Sequence, residues 1–131
     1  MALPYYPHRG EVLICDFDAE ALGAEMVKRR PVIVVSRRET HNRKLCAVVP
    51  ISTTAPDPIE RWHHALPHLR ISGWSPAGLM WAKCDMLATV SFDRLNKPYV
   101  KTRHGRNYVT HKLDDGDLGS VLAGISAFFA L

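Results

Sequence analysis

The sequence predicts a mainly β protein: a small, strongly bent β-barrel followed by one C-terminal helix. Short apolar runs rich in β-branched residues recur up to residue 113, separated by stretches rich in proline, glycine or charge. Helical spacing of apolar residues begins only after the acidic residues at 114–117. The 131 residues suit a single domain, and we expect one domain over 1–131.

The first half of the chain predicts three strands. The range 11–17 is a short strand after a proline-rich start, and 18–28 is a long loop of small and acidic residues. Apolar, β-branched residues make 32–36 a central strand, and a charged turn at 37–44 leads to the third strand at 45–51. Two prolines then make 54–58 a turn.

The second half predicts shorter strands and the helix. An edge strand at 62–72 is weakened by Pro67, and strands follow at 78–84 and 86–90. A turn or short helix starts at 93–95, and 107–113 is the last short strand. Apolar residues at 118, 121, 122, 125, 128 and 129 predict a helix over 118–131, with Asp114, Asp115 or Asp117 as its N-cap.

The charge distribution indicates an anionic partner. Net charge is +4, and the basic residues concentrate in 28–44, with seven Lys or Arg, and in 97–112, with five. Two such segments can line a basic groove for RNA. No apolar run is long enough for a membrane span and the N-terminus has no secretion signal, so we expect a cytoplasmic protein with no membrane partner. The three scattered cysteines are expected to be reduced and buried.

Two strand ends carry the residues that suit RNA chemistry. Arg30 directly precedes Pro31 at a strand start, where a guanidinium can offer paired donors to phosphate oxygens. Ser52 and Thr53 follow the next strand, and their hydroxyls can donate to a phosphate or orient a 2′-hydroxyl. Because RNA supplies its own nucleophile, such groups are sufficient for cleavage without a metal.

Four segments in order resemble the PemK/MazF toxins of type II toxin–antitoxin systems. They are RGEVLICDFD at 9–18, RRPVIVVS at 29–36, VVPISTT at 48–54 and DMLATVSFDRL at 85–95. The resemblance covers most of the chain and is nearest to the uncharacterised PemK-like branch. It implies an SH3-like β-barrel with helices, usually a homodimer. It also implies a metal-independent, ribosome-independent endoribonuclease that needs no cofactor and is inhibited by a cognate antitoxin protein.

The resemblance assigns catalytic positions residue by residue. Arg30 matches the catalytic Arg of the Arg-Pro motif, and Ser52 stands where the family usually has a catalytic Thr. Glu25, in the segment GAEM, matches only in part the acid of the family's Gly-Ser-Glu-Gln loop. Met86 replaces a common Gln, and Ala88 replaces a common basic residue, so both remove polar reach toward RNA.

Further RNA contacts are expected around these positions. The candidates are Lys28, Arg29, Arg37, Thr53, His63 and His64. The two histidines, with His68, lie in the segment RWHHALPH, where imidazoles can exchange protons near neutral pH. Packing of this segment against the barrel, or a place in a dimer surface, is the competing interpretation. A zinc site there matches no standard ligand spacing, and no metal is expected.

A second class of function fits the same barrel. A relative that has lost catalysis would serve as a nucleic-acid-binding or protein-binding module, since small barrels host unrelated functions. Arg30 and Ser52 favour the enzyme, whereas the altered loop around Glu25 favours divergence.

Overall fold

The structure is a computed structural model, and it describes residues 3–17, 29–74 and 78–131. Within these ranges it has ten strands and one α-helix: β1 (Glu11–Asp16), β2 (Arg29–Val34), β3 (Leu45–Ser52), β4 (His63–Leu66), β5 (Met80–Lys83), β6 (Ala88–Ser91), β7 (Leu95–Asn96), β8 (Tyr99–Thr102), β9 (Gly105–Tyr108), β10 (His111–Lys112) and α1 (Asp115–Phe129). Three 3-10 helices, Arg38–Thr40, Cys84–Met86 and Phe92–Arg94, lie between strands. Among these residues, no helix has both the length and the apolar character needed to cross a membrane.

The main sheet is antiparallel and curls into a half-barrel. Its strands follow the order β10-β1-β2-β3-β5-β4, while β6 also pairs with β3 and β7 also pairs with β1. Strand β6 pairs with β3 and strand β7 with β1, the two outer strands of the β1-β2-β3 sheet. Because only the 3-10 helix Phe92–Arg94 joins β6 to β7, these pairings curl the two edges of that sheet toward each other. The predicted small β-barrel with a C-terminal helix is confirmed. Strands β8 and β9 form a separate two-stranded hairpin.

The two faces of the central strands contribute side chains to two separate apolar cores. Alternate residues of a strand point to opposite faces. One face of β1, β2 and β3 contributes to a cluster that includes Val12, Ile33, Val49 and, from the helix, Val121. The other face contributes to a cluster on the inside of the curl, with Leu13, Val32, Val34, Val48 and Phe92 among its members.

The cysteines belong to these cores, as predicted. Cys15, Cys46 and Cys84 are buried free thiols. Burial raises the pKa of Cys15 and of Cys46 to about 12 and that of Cys84 to about 11. Since the thiolate is the reactive form, these side chains act as small apolar groups near neutral pH.

Several element boundaries differ from the sequence prediction. Strand β2 begins at Arg29 rather than 32, because Asp16 and Cys15 of β1 pair with Arg29 and Arg30. The edge strand predicted at 62–72 shrinks to β4, which ends directly before Pro67, a residue without a ladder donor. The helix begins at Asp115 rather than 118, and its N-cap is Asp114, whose side chain accepts a hydrogen bond from the Asp117 backbone amide.

The region after 95 shows the largest difference. The single strand predicted at 107–113 is divided between β9 and β10, and β9 pairs with β8 across the tight turn at Arg103 and His104. Gly105, with φ of 117°, supplies the left-handed backbone that this turn needs.

The predicted charged turn at 37–44 contains a buried anchor. His41 is fully buried, its Nε2 lies 2.6 Å from Ser36 Oγ, and its ring meets the edge of Phe92. Burial lowers the pKa of His41, so the imidazole is neutral near pH 7. The turn thus presents charge outward while one side chain fixes it to the inner core.

Helix α1 is fixed to the sheet by close approach and by one imidazole–carboxylate hydrogen bond. His64 Nε2 of β4 lies 2.9 Å from Asp117 Oδ1. Further along the helix, Cys84 Sγ donates to the Val121 carbonyl at 3.4 Å, and the Trp62 and Phe128 rings pack edge to face. Gly124 is buried at this contact, where a Cβ would come within 2.9 Å of Cys84 Sγ.

Two glycines of α1 should therefore respond in opposite directions to the same change. Gly124→Ala should lower the free energy of unfolding by about 1–3 kcal/mol, because the added methyl overpacks the contact with Cys84 and Trp62. Gly119→Ala should raise it by about 0.5–1 kcal/mol, since Gly119 is exposed with open space around it and alanine favours helix. Urea unfolding of the two variants measures both effects. Equal stabilisation by the two changes would contradict the described helix docking.

Candidate active site

Arg30 lies near the start of β2 and is half-buried. It pairs with Cys15 of β1, and the two-residue period of the strand puts its side chain on the face of Val32 and Val34, the face of the inner core. Its Nε is buried and has no hydrogen-bond partner among the residues that the structure describes. A buried guanidinium nitrogen without a partner is costly, so this group is suited to an anionic ligand.

Ser52 is the last residue of β3, and its residue surface is only 6% exposed. It pairs with Trp81 of β5. Its Oγ accepts a hydrogen bond of 3.0 Å from the Thr54 backbone amide, as in a local serine turn. The hydroxyl proton has no acceptor within the described part of the chain, so it can be donated to a ligand oxygen.

Arg30 and Ser52 share one face of two neighbouring strands. The β2–β3 ladder pairs Val34 with Val48 and ends with Val32 opposite Pro50. Continued by two residues, the same register sets Arg30 against Ser52, and both side chains then follow the inner-core face. A fixed positive charge beside a hydroxyl donor is the arrangement that stabilises charge on a phosphate oxygen.

Arg29 belongs to the opposite face, and it separates two clefts. The first cleft, of about 230 Å³, lies between Arg29 and the start of the β8–β9 hairpin. The second, of about 150 Å³, lies between Arg29, Arg94 and Arg106. Interaction with the Arg29 side chain, together with the nearby charge of Arg106, lowers the pKa of the Tyr99 hydroxyl.

Four of the remaining predicted site residues are described by the structure, and they lie at different places in the fold. Thr53 is exposed beside Ser52, whereas Arg37 is exposed beyond the other end of β2. His63 and His64 lie on β4, where each imidazole has a carboxylate neighbour: Asp85 at 3.5 Å for His63 and Asp117 at 2.9 Å for His64. Glu25 and Lys28 lie outside the described residues.

Ala88 and Met86, which stand where the family usually has polar residues, both pack within the protein. Ala88 begins β6, pairs with Val48 and packs against the inner core. Met86 closes the 3-10 helix Cys84–Met86 and is half-buried. Neither provides a polar group near Ser52.

Sequence reasoning missed the aromatic and basic group on the β8–β9 hairpin. Tyr99 pairs with Tyr108 across the strands with ring centroids 5.6 Å apart, and the Arg106 guanidinium lies 4.5 Å from the Tyr99 ring centroid. The signal was present in the sequence: aromatic and β-branched residues flank a short polar turn that ends in Gly105.

The described ranges contain no group of three or more His, Cys, Asp or Glu side chains arranged to hold a metal ion. The two imidazoles of β4 each have a carboxylate neighbour, Asp85 for His63 and Asp117 for His64.

Comparison with known proteins identifies the family. A family model described as the PemK-like, MazF-like toxin of type II toxin–antitoxin systems matches residues 8–129. An uncharacterised protein of Escherichia coli (strain K12), YifN, is 27% identical over 146 residues, with 97% of each chain covered. MazF from Deinococcus radiodurans (Form-I crystal structure) has a similar fold, with a TM-score of 0.66, 22% identity and coverage of 97% of this chain and 99% of that one.

A second solved structure, an endoribonuclease in complex with its cognate antitoxin from a mycobacterial species, has a TM-score of 0.62 at 18% identity and covers 95% of this chain and 96% of its own. At these identities the two structures establish the fold. The family model, which spans nearly the whole chain, establishes the membership. The chain belongs to the PemK-like, MazF-like toxins of type II toxin–antitoxin systems.

Proposed function

We propose that this protein is a metal-independent, ribosome-independent endoribonuclease that cleaves single-stranded RNA by attack of the RNA's own 2′-hydroxyl. One observation carries the proposal: Arg30 has a buried, unpaired Nε among the described residues, on the strand face that it shares with Ser52. Membership of the toxin family and the endoribonuclease named among its structural neighbours support the same activity.

The proposed reaction is an internal transesterification. The 2′-oxygen forms a bond to the adjacent phosphorus as its proton leaves to a base, and the bond from phosphorus to the 5′-oxygen breaks. The 5′-oxygen leaves with a proton from an acid. The products are a 2′,3′-cyclic phosphate end and a 5′-hydroxyl end.

Arg30 and Ser52 have separate proposed roles in this reaction. The Arg30 guanidinium donates to the non-bridging phosphate oxygens, whose negative charge increases in the transition state. Ser52 donates its hydroxyl proton to one of these oxygens or to the 2′-oxygen, while the Thr54 amide holds the Ser52 oxygen in place. Glu25 is the proposed base, on the partial match of its loop to the family.

Contacts to the flanking RNA are proposed for six residues. Arg29 and Thr53 neighbour Arg30 and Ser52 in the chain, and Lys28, which directly precedes Arg29 in the sequence, is proposed to add positive charge. Arg37, His63 and His64 stay predicted contacts, although the two histidines also have carboxylate neighbours within the fold.

Regulation by an antitoxin and assembly into a homodimer complete the proposal. An acidic, initially disordered antitoxin segment with apolar anchors would cover the basic groove and exclude RNA. We propose a cytoplasmic setting, where RNA and antitoxin are both present. A symmetric partner would cover exposed apolar side chains such as Leu79.

A binding module without catalysis is the second candidate. It is favoured by the position of Ala88, which offers no polar group to RNA, and by the Ser52 oxygen, which already serves its own turn. Such a protein would bind RNA or a protein partner with the same barrel and would cut nothing.

Arg30→Ala should lower the RNA cleavage rate by about 10²–10³-fold, because it removes charge stabilisation in the transition state. Arg38→Ala is the matched control: Arg38 is an exposed arginine whose Nε donates to the Tyr6 carbonyl at 3.1 Å, and its loss should change the rate less than about two-fold. Single-turnover cleavage of a labelled RNA, with unfolding midpoints measured in parallel, tests the pair. Similar small losses in two equally stable variants would remove Arg30 from the mechanism.

Cleavage should continue in excess EDTA and should stop when the ribose 5′ of the scissile phosphate is 2′-deoxy. The reason is that the substrate supplies the nucleophile and that the Arg30 guanidinium, rather than a metal ion, stabilises the negative charge on the phosphate. Mass spectrometry of the products should find a 2′,3′-cyclic phosphate. A requirement for added divalent metal would exclude this mechanism, and a well-folded protein that cuts no RNA across many sequences would support the binding module.

The isolated chain should sediment as a dimer at tens of micromolar, because the exposed apolar residues and strand edges need cover. The product of the neighbouring small open reading frame should bind the dimer and suppress cleavage. Analytical ultracentrifugation tests the first expectation, and a cleavage assay with that product tests the second. A monomer counts against the assembly, and a neighbour that neither binds nor inhibits counts against the toxin–antitoxin pairing.

A further inference from the structure

The β8–β9 hairpin and the turn at Ser72 to Trp74 form a cleft with an aromatic and basic lining. The cleft occupies about 230 Å³, and the side chains that matter for ligand binding are Arg29, Ser72, Trp74, Tyr99 and Lys101. Two rings and two cations line it, and no Asp or Glu is among its described lining residues. Its volume lies below the roughly 300–1,000 Å³ of pockets for drug-sized ligands, so it suits a single ring system.

The two walls of this cleft are held together by a close backbone approach. Gly73 has a φ of 74°, and a Cβ at this position would lie 1.9 Å from the Tyr99 carbonyl oxygen. Only glycine therefore allows the turn to meet β8 here. The Trp74 amide donates to the Ile71 carbonyl at 3.0 Å, which closes the turn, and Ser72 Oγ lies 3.0 Å from His111 Nε2, which ties the turn to β10. The cleft is thus built from anchored parts.

Tyr99 is surrounded by cations. The Arg29 side chain lines the same cleft, and the Arg106 guanidinium lies 4.5 Å from the Tyr99 ring centroid. Arg106, Arg94 and Arg29 also line the adjoining cleft of about 150 Å³, together with Asp16 and Asp93. An aromatic cleft beside an arginine-rich one complements a nucleotide, because the first can stack a flat ring system and the second can bind the adjacent phosphate.

We propose that the cleft between Trp74 and Tyr99 binds one unpaired base of the RNA strand, with the phosphate next to that base held by Arg29 and Arg106. The inference rests on the proposed endoribonuclease function and adds a subsite to it. Paired bases are excluded, because both faces of a base are covered by its neighbours in a duplex.

The place of Arg29 connects this subsite to Arg30. The two residues are consecutive in β2, so their Cα atoms are about 3.8 Å apart while their side chains point to opposite faces. On the proposed path, an RNA strand whose scissile phosphate contacts Arg30 passes the start of β2, where Arg29 lies. The cleft would then hold a base that flanks the cleavage site, and it would contribute to the choice of sequence that is cut.

The test measures binding of a single-stranded oligonucleotide whose 2′-hydroxyls are all methylated, so that it cannot be cleaved. Tyr99→Leu keeps apolar volume but removes the ring and the hydroxyl, and it should weaken binding by about 5- to 150-fold, as expected when one stacked base is lost. The matched control is Tyr6→Leu, which removes an exposed tyrosine beside Arg38 and should change binding less than two-fold. Fluorescence anisotropy gives the affinities, and urea unfolding checks that both variants are folded.

A second measurement needs no variant. Oligonucleotides that carry 4-thiouridine at successive positions should crosslink to the unaltered protein at Trp74 or Tyr99, and mass spectrometry identifies the peptide. Crosslinks confined to other peptides, or equal affinities of Tyr99→Leu and Tyr6→Leu for the oligonucleotide, would overturn the inference. The same holds if Tyr99→Leu weakens binding of a protein partner and leaves RNA binding unchanged.

The outcomes separate this inference from the proposed nuclease activity. Cleavage of unmodified RNA by the unaltered protein is measured alongside. If RNA is cut while Tyr99→Leu binds normally and no crosslink reaches the cleft, the subsite is wrong and the nuclease stands. If crosslinks reach Trp74 or Tyr99 but no RNA is cut, the subsite stands on a binding module.

Discussion

The pairing of β2 with both β1 and β3 is the constraint on which the site depends. Strand β2 is held on each side by an antiparallel ladder, and its two faces enter different apolar cores. Its register is therefore fixed, because a slip by one residue would turn Val32 and Ile33 to the wrong faces. The same register places the Arg30 side chain on the face of Ser52 and the Arg29 side chain on the face of the β8–β9 hairpin.

The two faces differ in how they handle charge. On the inner face, Arg30 is half-buried, and its Nε has no partner among the residues that the structure describes, a costly arrangement that an anion would relieve. On the outer face, Arg29 and Arg106 are arranged around an aromatic ring and remain near solvent. Under the proposed function, the first arrangement would hold the scissile phosphate, whereas the second would hold one flanking base and the phosphate next to it.

The sequence was most informative where local pattern and burial agree. The β-branched run at Val32 to Val35 and the helical spacing after Asp114 predicted a central strand and the helix, because apolar periodicity reports burial directly. The candidate pair Arg30 and Ser52 came from a family resemblance, and their shared face follows from a register that no local pattern reveals. The burial of His41 and the close approach of Gly73 to Tyr99 depend on contacts distant in sequence, so neither was predictable.

The place of β1 in the sheet has a consequence for the order in which the protein can be completed during translation. Strand β1 leaves the ribosome before the other strands of this sheet, yet it pairs with β7 and β10 as well as β2. Its partners Leu95 and His111 are synthesised well after β1, so the nascent chain holds an incompletely paired central strand until they appear. Closure of the curl around the Arg30 face therefore waits until β7 and β10 have been synthesised.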